Sequence, residues 1–144
     1  MNHHCLCSGV IGLVVLAALD GPSTTLAADG PLVFERSRIG DVTYEAGAVF
    51  DVNNDGKPDI VSGEYWFAGP DFTSKHRICR LLREEDYYDD FSDYPMDVNG
   101  DGYLDIITGG WWGGTLRWLE NPQGQDGEWQ AHDIDKCGNV ETTR

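Results

Sequence analysis

The sequence predicts an all-β fold of antiparallel sheets, and three observations carry that expectation. Short runs rich in Val, Ile, Tyr, Phe and Trp, bounded by Gly, Pro, Asn or Asp, follow one another from about residue 30 onward. No long stretch shows the apolar spacing of an amphipathic helix. The segment Asp51-Val-Asn-Asn-Asp-Gly-Lys-Pro-Asp-Ile-Val-Ser-Gly63 returns as Asp97-Val-Asn-Gly-Asp-Gly-Tyr-Leu-Asp-Ile-Ile-Thr-Gly109, at an offset of 46 residues. One supersecondary unit is therefore copied along the chain.

The first 28 residues read as a secretory signal. Val10 to Leu19 is an apolar run broken only by glycine, and cleavage after Ala27 or Ala28 fits the small-residue rule. Ten such residues span about 15 Å of helix, half the hydrocarbon thickness of a bilayer, which argues against a membrane anchor. His3, His4 and the amino terminus are the only positive charges ahead of the run. The expected location is secreted, extracellular or periplasmic, with no membrane contact once the signal is removed. Residues 29–144 form the repeat region, where Val49-Phe50, Asp59 to Ser62, Tyr65 to Phe67, Arg77 to Leu82, Leu104 to Thr108, Leu116 to Leu119 and Trp129 to Ile134 are expected as strands. The acidic stretch Glu84 to Asp93 is expected as a solvated loop.

The formal net charge is −15. Residues 1–28 carry Asp20 and no Lys or Arg, so without them 24 acids face 10 bases. Such a surface repels phosphate, which excludes nucleic acid as a partner, and it suits a protein that loads divalent cations outside the cell. Cys5 and Cys7 precede the apolar run and leave with it. Cys79 and Cys137 remain, either as the disulfide an exported protein permits or as two free buried thiols.

Asp51, Asn53, Asp55 and Asp59 stand at positions 1, 3, 5 and 9 of a loop over residues 51–59, and Asp97, Asn99, Asp101 and Asp105 repeat them over residues 97–105. Each loop thus offers four short oxygen-bearing side chains, and position 7, Lys57 or Tyr103, adds a backbone carbonyl. A water completes the roughly six to eight oxygens that Ca²⁺ prefers. Gly56 and Gly102 at position 6 permit the positive φ that curls the donors inward. Calcium is expected at two sites, ahead of magnesium or zinc, because the donors are all oxygen, numerous and flexible. The competing reading takes Asn-Asp-Gly and Gly-Asp-Gly as plain hairpin turns, but it does not account for the repetition of all four donor positions. An EF-hand or dockerin shares the opening Asp-x-Asn-x-Asp-Gly yet needs an acidic residue at position 12 and flanking helices. Position 12 is Ser62 or Thr108, and β-branched and aromatic residues surround it.

A period of 46 residues with several strands per unit is the size of one propeller blade. Residues 29–144 hold about two and a half such units, short of the roughly four to eight that close a ring. Gly138-Asn-Val-Glu141 repeats the lead-in Gly40-Asp-Val-Thr-Tyr-Glu45 and anticipates a third loop near position 147. The chain is accordingly expected to be the N-terminal part of a longer array or a truncated product. Similarity also runs past the loops: nine of the sixteen positions from Asp51 to Trp66 are identical in the stretch ending at Trp112. Trp66-Phe-Ala-Gly-Pro70 is similar to Trp118-Leu-Glu-Asn-Pro122, and His76-Arg-Ile78 to His132-Asp-Ile134, leaving insertions in the second copy around Gly113 and Gly124.

This combination resembles the FG-GAP or VCBS-type repeats of calcium-binding β-propellers, as in integrin α-chain heads and many secreted bacterial proteins. The resemblance covers about Gly40 to Ile134 and is strongest over Asp51 to Trp66 and Asp97 to Trp112. It implies an incomplete β-propeller of about two to two and a half four-stranded antiparallel blades. It also implies calcium held by the eight side chains named above plus the carbonyls of Lys57 and Tyr103. The phenylalanine-glycine and glycine-alanine-proline signatures of that family are only loosely matched, Phe67-Ala-Gly-Pro70 being nearest.

Trp66 and Trp112 occupy equivalent repeat positions and are expected to pack between units; Trp111 and Trp118, beside Gly113-Gly114, are expected to be exposed, as stacking platforms for sugar rings. His76 and His132 recur with the repeat, which marks them as structural. No catalytic constellation stands out. The expected function is a secreted, noncatalytic, calcium-stabilised module that binds a glycan or an extracellular protein. The alternatives are part of a carbohydrate-active enzyme such as a polysaccharide lyase, and a scaffold fragment without activity of its own.

Overall fold

The computed structural model describes residues 31, 33–41, 43–114 and 116–143, and the expected signal segment, residues 1–28, lies outside them. The described strands make an all-β structure of three antiparallel sheets, and among the described residues there is no helix. All ten strands belong to the unit Arg36–Arg144. The first sheet is a meander of β1 (Ala48–Phe50), β2 (Asp59–Ser62), β3 (Tyr65–Ala68) and β4 (Ser74–Arg77). Its central turn is the two-residue Gly63-Glu64, with Ser62 opposite Tyr65 and Gly63 at φ 57°. Glycine at the first turn position supplies the positive φ that matches the twist of the flanking strands.

A short hairpin of β5 (Arg83–Glu84) and β6 (Tyr87–Tyr88) follows. Then β7 (Ser92–Met96), β8 (Asp105–Gly109), β9 (Leu116–Glu120) and β10 (Gln130–Asp135) repeat the meander. The register repeats with it. Phe50 faces Asp59 in one sheet and Met96 faces Asp105 in the other, so both aspartate loops are the same connection, between the first two strands of a sheet. Val61 faces Trp66, and Ile107 faces Trp118. Each of these tryptophans stacks on the histidine opposite it, Trp66 on His76 at 4.2 Å between centroids and Trp118 on His132 at 4.4 Å. The two histidines are thus cross-strand packing partners, as the repeat led us to expect.

One apolar cluster draws on both four-stranded sheets: Phe50, Val52, Val61, Trp66, Ile78, Ile106, Leu119 and Trp129. Burying each large side chain of this kind contributes roughly 1.5–3 kcal/mol. Strand β2 shows how the sequence feeds it, since Asp59 and Val61 are buried while Ile60 and Ser62 are half-buried, the two-residue alternation of a strand with one covered face.

The structure corrects several expectations. The strand expected over residues 77–82 ends at Arg77. Ile78 turns into the core instead, its N–H donating to the Glu64 carbonyl at 2.9 Å and its carbonyl accepting from Trp129 N–H at 2.7 Å. The acidic stretch Glu84 to Asp93 is not a solvated loop, because it holds β6 and the start of β7 and buries Asp89 and Asp90. Its strand β7 was obscured by Pro95, which this edge strand tolerates because one side of its backbone needs no ladder bond. Trp112 is not the counterpart of Trp66. It is exposed in the β8–β9 connection, while Trp118 takes the Trp66 position and is half-buried. Cys79 and Cys137 are free thiols, Cys79 half-buried and Cys137 exposed. Burial, with the nearby Asp90 charge, pushes the Cys79 thiol up to about 12, so it stays protonated.

Asp90 and Asp93 share one buried spot. Asp90 Oδ1 accepts from the Thr108 hydroxyl at 2.9 Å, and one oxygen of each residue, Asp90 Oδ2 and Asp93 Oδ2, is buried without a hydrogen-bond partner. Two carboxylates in one buried spot lose hydration and repel each other, so the pair keeps a proton that separate, solvated groups would release. Burial pushes Asp90 up to about 6, with Asp89 adding to it and Thr108 and Arg117 opposing. Burial, then the Asp90 charge, pushes Asp93 up to about 8. The folded chain therefore binds more protons than the unfolded chain between roughly pH 4 and 8, and stability falls as pH rises through that window. We expect the melting temperature in chelator to be higher at pH 5 than at pH 8, and Asp93→Asn to flatten the profile. A wild-type profile that rises from pH 5 to 8 would contradict the shared proton.

Candidate metal-binding loops

In the first loop the position-1 carboxylate organises the turn. Asp51 accepts from the N–H groups of Asp55 at 3.1 Å and Gly56 at 2.7 Å. Asn53 Oδ1 also accepts from Asp55 N–H, and Asp55 Oδ1 accepts from Lys57 N–H at 2.9 Å. Such short side chains hold a turn by replacing backbone acceptors. The second loop repeats each bond: Asp97 accepts from Asp101 at 3.1 Å and Gly102 at 3.0 Å, Asn99 from Asp101 at 3.0 Å, and Asp101 from Tyr103 at 2.9 Å. Position 6 has the expected left-handed backbone, φ 83° at Gly56 and 90° at Gly102, and a Cβ there meets nothing within 4 Å. Conformation, not crowding, is what calls for glycine.

The Lys57 and Tyr103 amides are the main reason the Asp55 and Asp101 carboxyls sit below the usual carboxylate range. Both side chains are thus ionised at neutral pH. A difference lies at position 7. The Lys57 ammonium reaches Asp55 Oδ2 at 3.4 Å, a counter-charge inside the first loop, whereas Tyr103 brings none to the second. The second loop instead gains the acid Glu120, whose carboxylate accepts from Asn99 at 3.3 Å.

Position 9 behaves unlike the others. Asp59 and Asp105 have no solvent exposure, and both oxygens of each accept a backbone N–H. Asp59 takes Val52 N–H at 2.8 Å and Gly69 N–H at 2.7 Å. Asp105 takes Val98 N–H at 2.9 Å and Asn121 N–H at 2.8 Å. These carboxylates tie the mouth of each loop to the end of the third strand in its sheet. Among the described residues no three Asp, Glu, His or Cys side chains converge closely enough to grip a metal ion as placed.

The two loops are neighbours, and the sequence reading missed the residue that joins them. Asn121, 1% exposed, donates from Nδ2 to the Val52 carbonyl of the first loop at 2.9 Å and to the Leu104 carbonyl of the second at 3.0 Å. Its Oδ1 accepts from Gly124 N–H at 2.8 Å. Asn54 Nδ2 adds a direct bond to the Gly102 carbonyl at 3.0 Å. Gly124, at φ 72°, lies so close that a Cβ would stand 2.7 Å from Asn53 Cα. The signal for Asn121 was present as the Asn-Pro pair ending the second Trp landmark. The first copy has Gly69-Pro70 there, and a Cβ on Gly69 would stand 2.1 Å from the Pro58 carbonyl oxygen.

Removing the Asn121 amide leaves two buried carbonyls short of a donor, each costing about 1–3 kcal/mol. Asn121→Ala should therefore lower the unfolding free energy by about 2–4 kcal/mol in denaturant titrations, and Gly69→Ala should be similarly damaging through its clash. A loss below about 1 kcal/mol for Asn121→Ala would show that the loops are not joined through it.

No family model matches the chain, and no curated protein or solved structure matches it.

Proposed function

We propose that the chain is a secreted, noncatalytic β-repeat module of FG-GAP or VCBS type, stabilised by calcium in two loops, that binds a glycan or an extracellular protein through its exposed connections. The observation that carries this reading is the recurrence of one all-oxygen donor set at the same connection of two sheets. Asp51, Asn53, Asp55 and Asp59 with the Lys57 carbonyl would hold one ion, and Asp97, Asn99, Asp101 and Asp105 with the Tyr103 carbonyl the other. The donor chemistry fits the ion. A carboxylate that accepts one or two N–H bonds still has lone pairs to give, and at positions 1, 3 and 5 Asp55, Asn99 and Asp101 are exposed while Asp51, Asn53 and Asp97 are half-buried. Calcium supplies the positive charge that offsets the mutual repulsion of the loop carboxylates, about 1 kcal/mol per pair at 4 Å even in water. Exposed Trp111, Trp112 and Tyr87 provide aromatic surface for a partner.

Calorimetry with calcium and with chelator tests the reading. At 100-fold excess over its dissociation constant, each ion should add about 2.7 kcal/mol and raise the melting temperature by about 10 °C. Because Lys57 competes inside the first loop, the second site should be tighter, and Lys57→Gln should narrow the gap. Asp97→Asn with Asp101→Asn should remove one of the two increments. An unchanged melting temperature in calcium would refute the assignment.

A further inference from the structure

A second carboxylate anchors a different loop. Asp89, 1% exposed, accepts from the N–H groups of Trp111 at 2.6 Å, Trp112 at 2.9 Å and Gly113 at 2.8 Å. Glycine flanks the pair for a steric reason, since a Cβ on Gly110 or Gly113 would stand 2.4 or 2.7 Å from that carboxylate. With the Asn139 amide turned so that its oxygen faces the indole, it accepts from Trp111 Nε1–H at 3.2 Å and donates to the Trp111 carbonyl at 2.8 Å. The backbone bearing the two exposed tryptophans is thus held from behind, with the Trp111 ring held by Asn139, and a side chain already ordered loses little entropy when it meets a ligand.

Trp112 lies 6.2 Å from the Tyr87 ring and 5.8 Å from the Phe91 ring, each tilted. Together with Trp111 these rings line a pocket of about 240 Å³, and the remaining two lining residues are Glu45 and Glu141, both exposed. The lining has a one-sided chemistry. Aromatic faces carry negative quadrupole charge, the two carboxylates carry full negative charge, and the lining holds no Lys, Arg, Asn or Gln. A sugar asks for several donors and acceptors in a fixed pattern; with the Asn139 amide so turned the Trp111 indole N–H is taken, which leaves the Tyr87 hydroxyl and the Trp112 indole N–H against two full negative charges.

We propose that this pocket binds a quaternary ammonium group. Its methyl groups spread the charge and pack on ring faces, as aromatic cages require, and the two glutamates at the rim complete the charge match. A primary ammonium is a poorer occupant because it needs acceptors for three N–H bonds where the walls present rings. No lining residue belongs to the aspartate loops, so the site stands apart from the calcium reading.

The test is a titration of the full chain, in calcium, with choline and with its uncharged carbon isostere 3,3-dimethylbutan-1-ol, read by calorimetry and tryptophan fluorescence. Choline should saturate and bind at least about tenfold tighter than the isostere. Trp112→Ala should weaken choline about tenfold, and Glu45→Gln with Glu141→Gln about threefold, with less sensitivity to salt. Equal binding of choline and the isostere, tighter binding of lysine methyl ester than of choline, saturation by methyl glucoside without choline binding, or no saturation at about 100 mM choline would each overturn the proposal. The comparison of choline with its isostere on the unaltered chain keeps the test sound if a variant folds poorly.

Discussion

Two carboxylates with no solvent exposure, Asp59 and Asp105, set the terms for the rest of the molecule. A buried carboxylate is costly unless its oxygens are met by donors, and here every donor is a backbone amide. One comes from position 2 of the loop and the other from the residue just after the third strand. That choice closes the loop at its base, and it fixes where the second hairpin of each sheet must end. Glycine at position 69 and asparagine at position 121 are two answers to the same demand for an N–H at that point. Glycine admits the close approach of the Pro58 carbonyl. Asparagine meets the demand and then extends its amide to the neighbouring loop.

The same chemistry recurs wherever this chain departs from its own repeat. The β8–β9 connection is longer than the two-residue β2–β3 turn, and a longer loop has more N–H groups to satisfy. Asp89 gathers three of them. Asp90 and Asp93 solve the opposite problem, too many acceptors and too few donors, by keeping a proton. A composition of 25 acids and 10 bases therefore does not describe a uniformly charged shell. Part of the acidity works inside, as an acceptor for loop backbone, and only the remainder faces solvent.

How far the sequence reveals this follows from the range of each interaction. Elements encoded by local pattern were legible: β2 is where the alternation of Asp59 to Ser62 puts it, and the left-handed turns at Gly56 and Gly102 follow from the Asn-Asp-Gly and Gly-Asp-Gly motifs. The equivalence of Trp66 with Trp118 was present as one of two competing alignments, and only strand register separates them, because identity at Trp112 is local while pairing is not. Asn121 acts over 69 residues to Val52, and Asp89 over 22 or more to the Trp111 loop. No local pattern marks such residues. A run of acids reads as solvated on composition, and only the partners brought in by the fold reveal which of them are inside.

The two kinds of cation proposed, calcium in the aspartate loops and an ammonium in the aromatic pocket, would be separated by strand β8. The second loop enters β8 at Asp105, and the connection bearing Trp111 and Trp112 leaves it after Gly109. Five residues of strand hold the two ends about 14 Å apart. That exceeds the Debye length of about 8 Å at physiological salt, so a calcium ion on one side and an ammonium on the other would interact weakly through solvent. Strand β8 could transmit a change mechanically only if it had a second arrangement to adopt. Its interior side chains argue against one, since Asp105, Ile106 and Thr108 are all buried and a register slip would turn each of them to the other face. The loops and the aromatic pocket thus share one source, a surplus of carboxylates, while the buried strand between them would let each meet its proposed cation independently.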